Sequence, residues 1–243
     1  MLIKTMKLRL DELVIYLIVD LGGFLFGHLL LRLAMHFERG EPDFTVFRMG
    51  TVMAWILFCL MSVMLGMFAT TGYFNGHVGF SRTRKSFFLC DLATEFCWNL
   101  LNLLFIWGFS FIEGGILKTF YRAYPEEFKG IWGLWLGWVL PALALALAAF
   151  RELTGALILR FGKKVFWVMW GLWMIICIVP GKIGRDKNGT AAKIMNEIAA
   201  RIKEVPLAGW AVMGVLLLLL LLAVSWMLLR KQAVEAKGNS IAG

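Results

Sequence analysis

The sequence predicts an all-α membrane protein, with six hydrophobic transmembrane helices behind an N-terminal amphipathic helix, in a single membrane domain over residues 1–243. Three observations predict it. Of 243 residues, 60% are hydrophobic and 17% charged, against about 25% charged in an ordinary soluble domain. Six apolar runs approach the roughly 20 residues that a helix needs to cross a hydrocarbon core about 30 Å thick. Short segments rich in Lys and Arg separate those runs, as headgroup anchors and topology signals do.

The first element is a leader, Met1 to Glu12. It lacks both a continuous apolar stretch and a small-residue cleavage site, so it reads as an amphipathic helix on the membrane surface and not as a removable signal peptide. The spans follow at 13–36, 48–72, 92–114, 130–150, 157–180 and 206–229, each as a helix because only a helix or a closed barrel satisfies its own backbone in lipid. Gly23-x-x-x-Gly27 in the first and Gly133-x-x-x-Gly137 in the fourth are spacings that let two backbones approach closely. Trp132, Trp135 and Trp138 gather at one end of the fourth, as interfacial anchors do. The sixth contains the Leu run from Val215 to Ala223. Between the fifth and sixth, residues 181–205 form a long loop in which Ile194, Ile198 and Ile202 line one face of an amphipathic interfacial helix over Thr190 to Val205. A shorter case of the same kind covers Phe120 to Phe128.

An even number of spans puts both termini on one side. The Lys and Arg counts of the two sets of loops are nearly balanced, so charge alone does not orient the chain. The formal net charge of +9 is spread along the edges of apolar runs and forms no single patch, which argues against nucleic acid as a partner. Cys59, Cys90, Cys97 and Cys177 fall in or beside apolar runs without metal-ligand spacing and read as free thiols.

No enzymatic constellation emerges. His28, His36 and His77 lie in separate elements, and G-x-S-x-G and H-E-x-x-H patterns are absent. The nearest approach to a phosphate loop, Gly184 to Ala191, has Thr190 where the lysine belongs and Ala191 where the metal-binding hydroxyl belongs. The chain is expected to bind no nucleotide or metal of its own. Asn188-Gly-Thr190 is formally a glycosylation acceptor.

Polar residues inside the spans are the candidate functional positions, since an ionisable group at mid-bilayer costs about 2.5–3.5 kcal/mol on insertion scales. In the first span Asp20, His28 and Arg32 share a face with Phe24 at steps of four. Either a transport route or an internal ion pair with snorkelling ends accounts for them. In the third, Asp91, Glu95, Asn99 and Asn102 recur near one face, which suits a polar route, an interface between two copies, or hydrogen bonds within the helix packing. Asp91 can also be read as a cap at the helix start.

The segment Tyr73 to Phe88 carries three cations and no acid. It suits a short surface helix capped by Ser81, with Phe80, Phe87 and Phe88 available to plug a groove. The pattern Asn75, Gly76, Gly79, Phe80, Ser81, Arg82, Phe87 and Phe88 resembles the first cytoplasmic loop of ATP-binding cassette type-2 permeases, the export-type membrane subunits. Leu159 to Lys164 and Leu228 to Val234 agree with it, and the resemblance covers essentially the whole chain. It implies that residues 73–90 form a coupling loop docking on a separate ATPase subunit, which would bind ATP and Mg. It further implies that the termini are cytoplasmic, that 181–205 is extracellular, that the protein sits in the plasma membrane, and that a second permease copy or paralogue completes the route. Small permeases of that kind export amphipathic, antimicrobial or toxin peptides, and others export drugs or lipids. A non-transporting membrane scaffold or immunity protein would share the hydropathy without needing the coupling loop.

Overall fold

The structure is a computed structural model that describes residues 2–37, 48–79, 83–120, 138–162, 164–185 and 206–230. Among these residues every element is helical: α1 (Leu2–Leu8), α2 (Leu10–Phe37), α3 (Met49–Gly79), α4 (Arg84–Phe120), α5 (Leu140–Phe161), α6 (Lys164–Arg185) and α7 (Leu207–Arg230). Four stretches are long and apolar enough to cross a membrane, namely Leu10–Phe37, Arg84–Thr119, Leu140–Phe161 and Gly209–Arg230. Shorter apolar stretches occur in α3 at Met49–Met64 and in α6 at Lys164–Ile175. The chain is therefore membrane-spanning in character, with the 28 residues of α2 reaching about 42 Å at 1.5 Å per residue.

Helices 2 to 5 form the interior of the bundle. Packing of α2 on α3 is set by small residues, as the Gly-x-x-x-Gly spacing predicts. A Cβ on Gly23 would meet the Ala54 backbone at 3.1 Å, and one on Gly27 would meet the Met49 carbonyl oxygen at 2.4 Å. Backbones this close are what attract helices in lipid, where apolar side chains gain nothing by leaving acyl chains for one another. Helix α5 packs on α3, α4, α6 and α7, and Gly155 lets it reach the Thr70 side chain of α3. Two apolar cores result. Phe24, Ala54, Phe58, Leu103, Ile106, Phe109, Leu140 and Ala144 form one. Phe74, Phe87, Phe88, Ala156 and Leu229 form the other. Leu, Val and Trp side chains of α6 and α7 instead stay exposed on the outside, as lipid-facing residues do.

The ends of the bundle follow from these contacts. Arg84, in the first turn of α4, donates from Nη1 to the Arg230 carbonyl oxygen at 2.6 Å, which closes the C-terminus of α7 with a cation. The start of α2, the end of α3, the start of α4 and the end of α7 thus share one end of the molecule.

Several boundaries differ from the sequence reading. Expected spans over 130–150 and 157–180 place a break at Arg151 to Ala156, but α5 runs from Leu140, with Pro141 in its first turn, to Phe161. Pro fits a first helical turn because no intrahelical N–H is lost there, and the helix ends at Gly162, whose φ of 73° and ψ of −165° only glycine adopts readily. Arg151 is interior to the helix because its charge meets Glu12 and Glu95 on other helices, and Glu152 is buried beside it. The expected surface helix between residues 73 and 90 is also revised: α3 stays helical to Gly79, α4 starts at Arg84, and the cap is Thr83, whose Oγ1 accepts from the Ser86 N–H at 3.2 Å. Finally, the leader is not merely laid on a surface. Helix α1 packs against α4 and the residue after it, Arg9, is fully buried. Phe80, Ser81 and Arg82, the Gly133 spacing, Trp132 and Trp135, the amphipathic readings of 120–128 and 190–205, and the Asn188 tripeptide lie largely or wholly outside the described residues.

Candidate functional site

The most concentrated chemistry lies about 10 to 15 Å below the shared end of the bundle, counting 1.5 Å per helical residue. Arg9 sits in the one-residue joint between α1 and α2, which turns its side chain inward. Its Nε donates to Glu12 Oε2 at 2.9 Å and its Nη2 to the same oxygen at 2.6 Å. It also pairs with Asp91 and with Glu95 of α4, and its guanidinium lies 4.9 Å from the centroid of the Tyr73 ring of α3. Arginine suits this position because its planar fork of five donors can serve several carboxylates at once.

A second arginine meets the first across these acids. Arg151 of α5 pairs with Glu95 and donates from Nη1 to the Tyr16 hydroxyl at 3.2 Å. Its Nη2 lies 3.4 Å from Glu12 Oε2. Glu12 and Glu95 thus bridge two guanidinium groups, and the network joins α2, α4 and α5 to the leader. Arg9, Asp91, Glu95, Arg151 and Glu152 are all at most 1% exposed. Buried charges are tolerated only when paired and hydrogen-bonded, so the network fixes how these helices align.

Two acids lack such partners. Both carboxylate oxygens of Glu152 and of Asp20 have no hydrogen-bond donor among the described residues. Of the two readings of Asp20, the internal ion pair has no cation within hydrogen-bonding distance of the carboxylate among the described residues. Its neighbours on the same face of α2 are Tyr16 and Phe24, all three buried.

The four residues of the α4 stripe, Asp91, Glu95, Asn99 and Asn102, are each at most 1% exposed. Its lower half bonds within the bundle: Asn99 Nδ2 donates to the Ala144 carbonyl oxygen at 3.4 Å, and Asn102 Nδ2 to the Trp98 carbonyl oxygen at 2.8 Å. Because the stripe points into its own bundle, it offers no outer surface to a second copy. Asp91 does not cap its helix either, lying two turns inside α4, where it accepts from Arg9.

The face of α2 carrying Asp20, His28 and Arg32 divides. His28 stacks edge-on against Phe24, with ring centroids 4.7 Å apart, and its Nε2 lies 3.9 Å from Glu113 Oε1. Arg32 is exposed. Glu113, on α4, is a residue that sequence reasoning missed. It accepts from the Gly50 N–H at 2.7 Å, the Thr51 N–H at 2.7 Å and the Thr51 hydroxyl at 2.6 Å. A carboxylate from a neighbouring helix therefore satisfies the first turn of α3, where orphan N–H groups and the helix dipole both favour an anion.

Of the residues whose pattern resembles a permease coupling loop, Asn75, Gly76 and Gly79 form the last helical turns of α3, while Phe80, Ser81 and Arg82 fall outside the described residues. Phe87 and Phe88 are not free to plug a groove elsewhere. They are buried in this chain: Phe87 packs edge-on against Phe74 with centroids 5.4 Å apart, and Phe88 lies 5.6 Å from the Trp226 ring.

A half-open aromatic cleft of about 540 Å³ lies between α3, α5 and α6, lined in part by Trp55, Cys59, Phe150, Phe166, Trp170 and Trp173. Cys59, Cys90 and Cys97 are free thiols of intermediate exposure. Among the described residues no group of three or more His, Cys, Asp or Glu is placed to hold a metal ion.

Arg9 and Glu152, like Glu113, escaped the sequence reading. Arg9-x-x-Glu12 has the spacing of a helical ion pair, which was the available signal. Adjacent Arg151 and Glu152 looked instead like an interhelical loop. Searches of known protein families, of curated proteins and of solved structures find no match to this chain.

Proposed function

We propose that this chain is the six-span permease subunit of an ATP-driven exporter in the plasma membrane, worked by a separate ATPase that contacts it at the turn between α3 and α4. The observation that carries the reading is how that turn is anchored. Phe74 before it and Phe87 and Phe88 after it pack with Ala156 of α5 and Leu229 of α7, and one to two turns further on Asp91 and Glu95 enter the ionic network. A displacement of residues 80–83 would therefore reach α1, α2, α5 and α7 as rigid-body motion, since packed cores transmit strain. The resemblance of Asn75 to Phe88 to a coupling loop supplies the identity of the motor, with ATP and Mg held by the partner and both termini in the cytoplasm beside it.

Cargo with an apolar face suits the exterior. The cleft between α3 and α6 lies within the usual 300–1,000 Å³ range of ligand sites and is lined by aromatic and aliphatic groups, which favours an amphipathic peptide over a sugar or an ion. A second permease copy or paralogue would complete the route.

A decisive experiment is purification in mild detergent followed by identification of any bound ATPase, together with ATP-dependent export in reconstituted vesicles. Gly79→Pro combined with Arg82→Glu should abolish export while leaving the fold intact. A chain that carries no ATPase, or exports equally well with both substitutions, ends the reading. The closed ionic network also suits a non-transporting scaffold or immunity protein, and that alternative predicts full activity of the double variant.

A further inference from the structure

Helix α6 starts at Lys164 just after α5 ends and packs on α5, which leaves the half-open cleft of about 540 Å³ between it and α3. Trp55, Cys59 and Met64 of α3, Phe150 of α5, and Phe166 and Trp173 of α6 are among its lining, and no charged side chain is. From Trp55 to Met64 the α3 wall is about 14 Å long at 1.5 Å per residue. A space of that length and volume suits one fatty acyl tail. Trp167, Val168 and Ile175 of α6 stay exposed beside it, so the cleft opens sideways into lipid. A tail enters from there without leaving water, and it supplies the packing partners that an empty apolar space lacks.

Charge decides which lipid. Gly155 meets Thr70, and Ala156 packs with Phe74 and Leu229, so α5 ends and α6 begins at the same end of the bundle as the turn between α3 and α4. Lys85, Arg160, Lys164 and Arg230 are exposed there, one on each of α4 to α7, whereas Asp11 is the only exposed acid among the described residues. Two of these cations flank the top of the cleft. Lys164 precedes the lining residue Phe166 in the first turn of α6. The Arg160 guanidinium lies 5.7 Å from the centroid of the Phe161 ring, which stands about three helical turns above Phe150 on the same face of α5. We propose that the cleft holds one anionic phospholipid, with its phosphate between Arg160 and Lys164 and one acyl tail running past Phe166 and Met64 toward Trp55. Arginine and lysine at helix ends are the groups that recognise such headgroups. The assignment does not require the transport reading, and a peptide cargo using the same cleft would have to displace the lipid.

The test is native mass spectrometry of the full chain in mild detergent, with phosphatidylglycerol or phosphatidylcholine added at equal concentration. The native protein should retain one phosphatidylglycerol and release phosphatidylcholine. Arg160→Ala combined with Lys164→Ala should weaken phosphatidylglycerol retention roughly 30-fold, at a little over fivefold per cation. Both side chains are exposed, so that variant should melt like the native protein. Lys85→Ala combined with Arg230→Ala removes as much charge from the same end away from the cleft and should leave retention nearly unchanged. Val63→Phe, which fills part of the cleft from α3, should lower retention with every cation in place. Equal retention of the two lipids by the native protein overturns the proposal, as does undiminished retention in the Arg160 and Lys164 variant or in Val63→Phe. An equal loss in the Lys85 and Arg230 variant would mean a diffuse charge effect and overturns it too. So does a native chain that is dimeric and free of lipid, because a second copy would then cover the cleft.

Discussion

Replacing Arg9 with alanine is the most severe single test of the ionic network. The substitution removes the guanidinium that contacts Glu12, Asp91 and Glu95 and leaves those acids with Arg151 alone. Removing one partner of a buried ion pair destabilises by about 3–5 kcal/mol, because the orphaned charge stays buried. Against a total stability of about 5–15 kcal/mol, that is a fifth or more of the margin. At about 2–4 °C per kcal/mol for a chain of this size, melting should fall by roughly 6–20 °C. The 11 tryptophans make intrinsic fluorescence a direct readout.

A local readout accompanies the global one. Lys4 and Lys7 of α1 are exposed but held in a docked helix, so trypsin should cut there slowly in the native protein and much faster in Arg9→Ala. Arg9→Lys should fall between the two, since an ammonium cannot spread over three carboxylates as a guanidinium does. Asp91→Asn in the Arg9→Ala background should cost less than the two single losses added, with a coupling of about 0.5–3 kcal/mol for groups in one network. Melting within a degree or two of native for Arg9→Ala, with cutting at Lys4 and Lys7 unchanged, would show that the leader is not held by this arginine.

Other substitutions probe the same architecture elsewhere. Glu113→Ala orphans two backbone donors and a hydroxyl at the start of α3, which should cost about 2–4 kcal/mol by analogy with lost caps and unsatisfied buried groups; Glu113→Gln, retaining one acceptor, should lose about half of that in the same thermal assay. Gly27→Ala should separate α2 from α3, because the new methyl would lie 2.4 Å from the Met49 carbonyl oxygen, whereas Gly22→Ala meets nothing within 4 Å and should be neutral or slightly stabilising. Equal melting of those two variants would contradict the helix packing. Arg84→Ala removes an exposed contact with the Arg230 carbonyl oxygen and should change stability by less than about 1 kcal/mol.

How much of this was legible depends on which signal each feature left. Apolar length located α2, α4 and α7 to within several residues at most boundaries, because a long apolar run has one stable form in lipid. The Gly23 spacing predicted its close contact, since small residues at steps of four need no knowledge of the partner. Asp91, Glu95, Asn99 and Asn102 were legible as one face through helical periodicity. Arg151 and Glu152 were not, because hydropathy counts a charge as evidence against a span and cannot see Glu95 of another helix neutralising it. The same blindness hid Arg9, whose partners on α4, Asp91 and Glu95, lie 82 and more residues away in sequence, and Glu113, whose role is to complete the backbone of a helix other than its own.

That pattern has a physical root in how the bundle is specified. In water the apolar faces would select the interior, but exposed Leu216, Leu217, Leu219 and Leu220 of α7 are already at home among acyl chains, so apolarity cannot tell α5 which way to turn. Small residues and charges can. Ala144 and Ala148 are fully buried on α5 at the same step of four that leads on to Glu152, so one stripe presents small, small and ionic groups to α3 and α4. Rotating α5 away from that orientation would carry Arg151 and Glu152 into lipid at several kcal/mol each and replace close backbone contact with bulky side chains. Enlarging the stripe by Ala144→Leu with Ala148→Leu should therefore disrupt the bundle despite raising the hydrophobicity of the helix. The same pair of substitutions on α7, at Val215 and Val224, should leave melting nearly unchanged. A double variant of α5 that melts like the native protein would mean that the ionic stripe does not set the rotation of its helix.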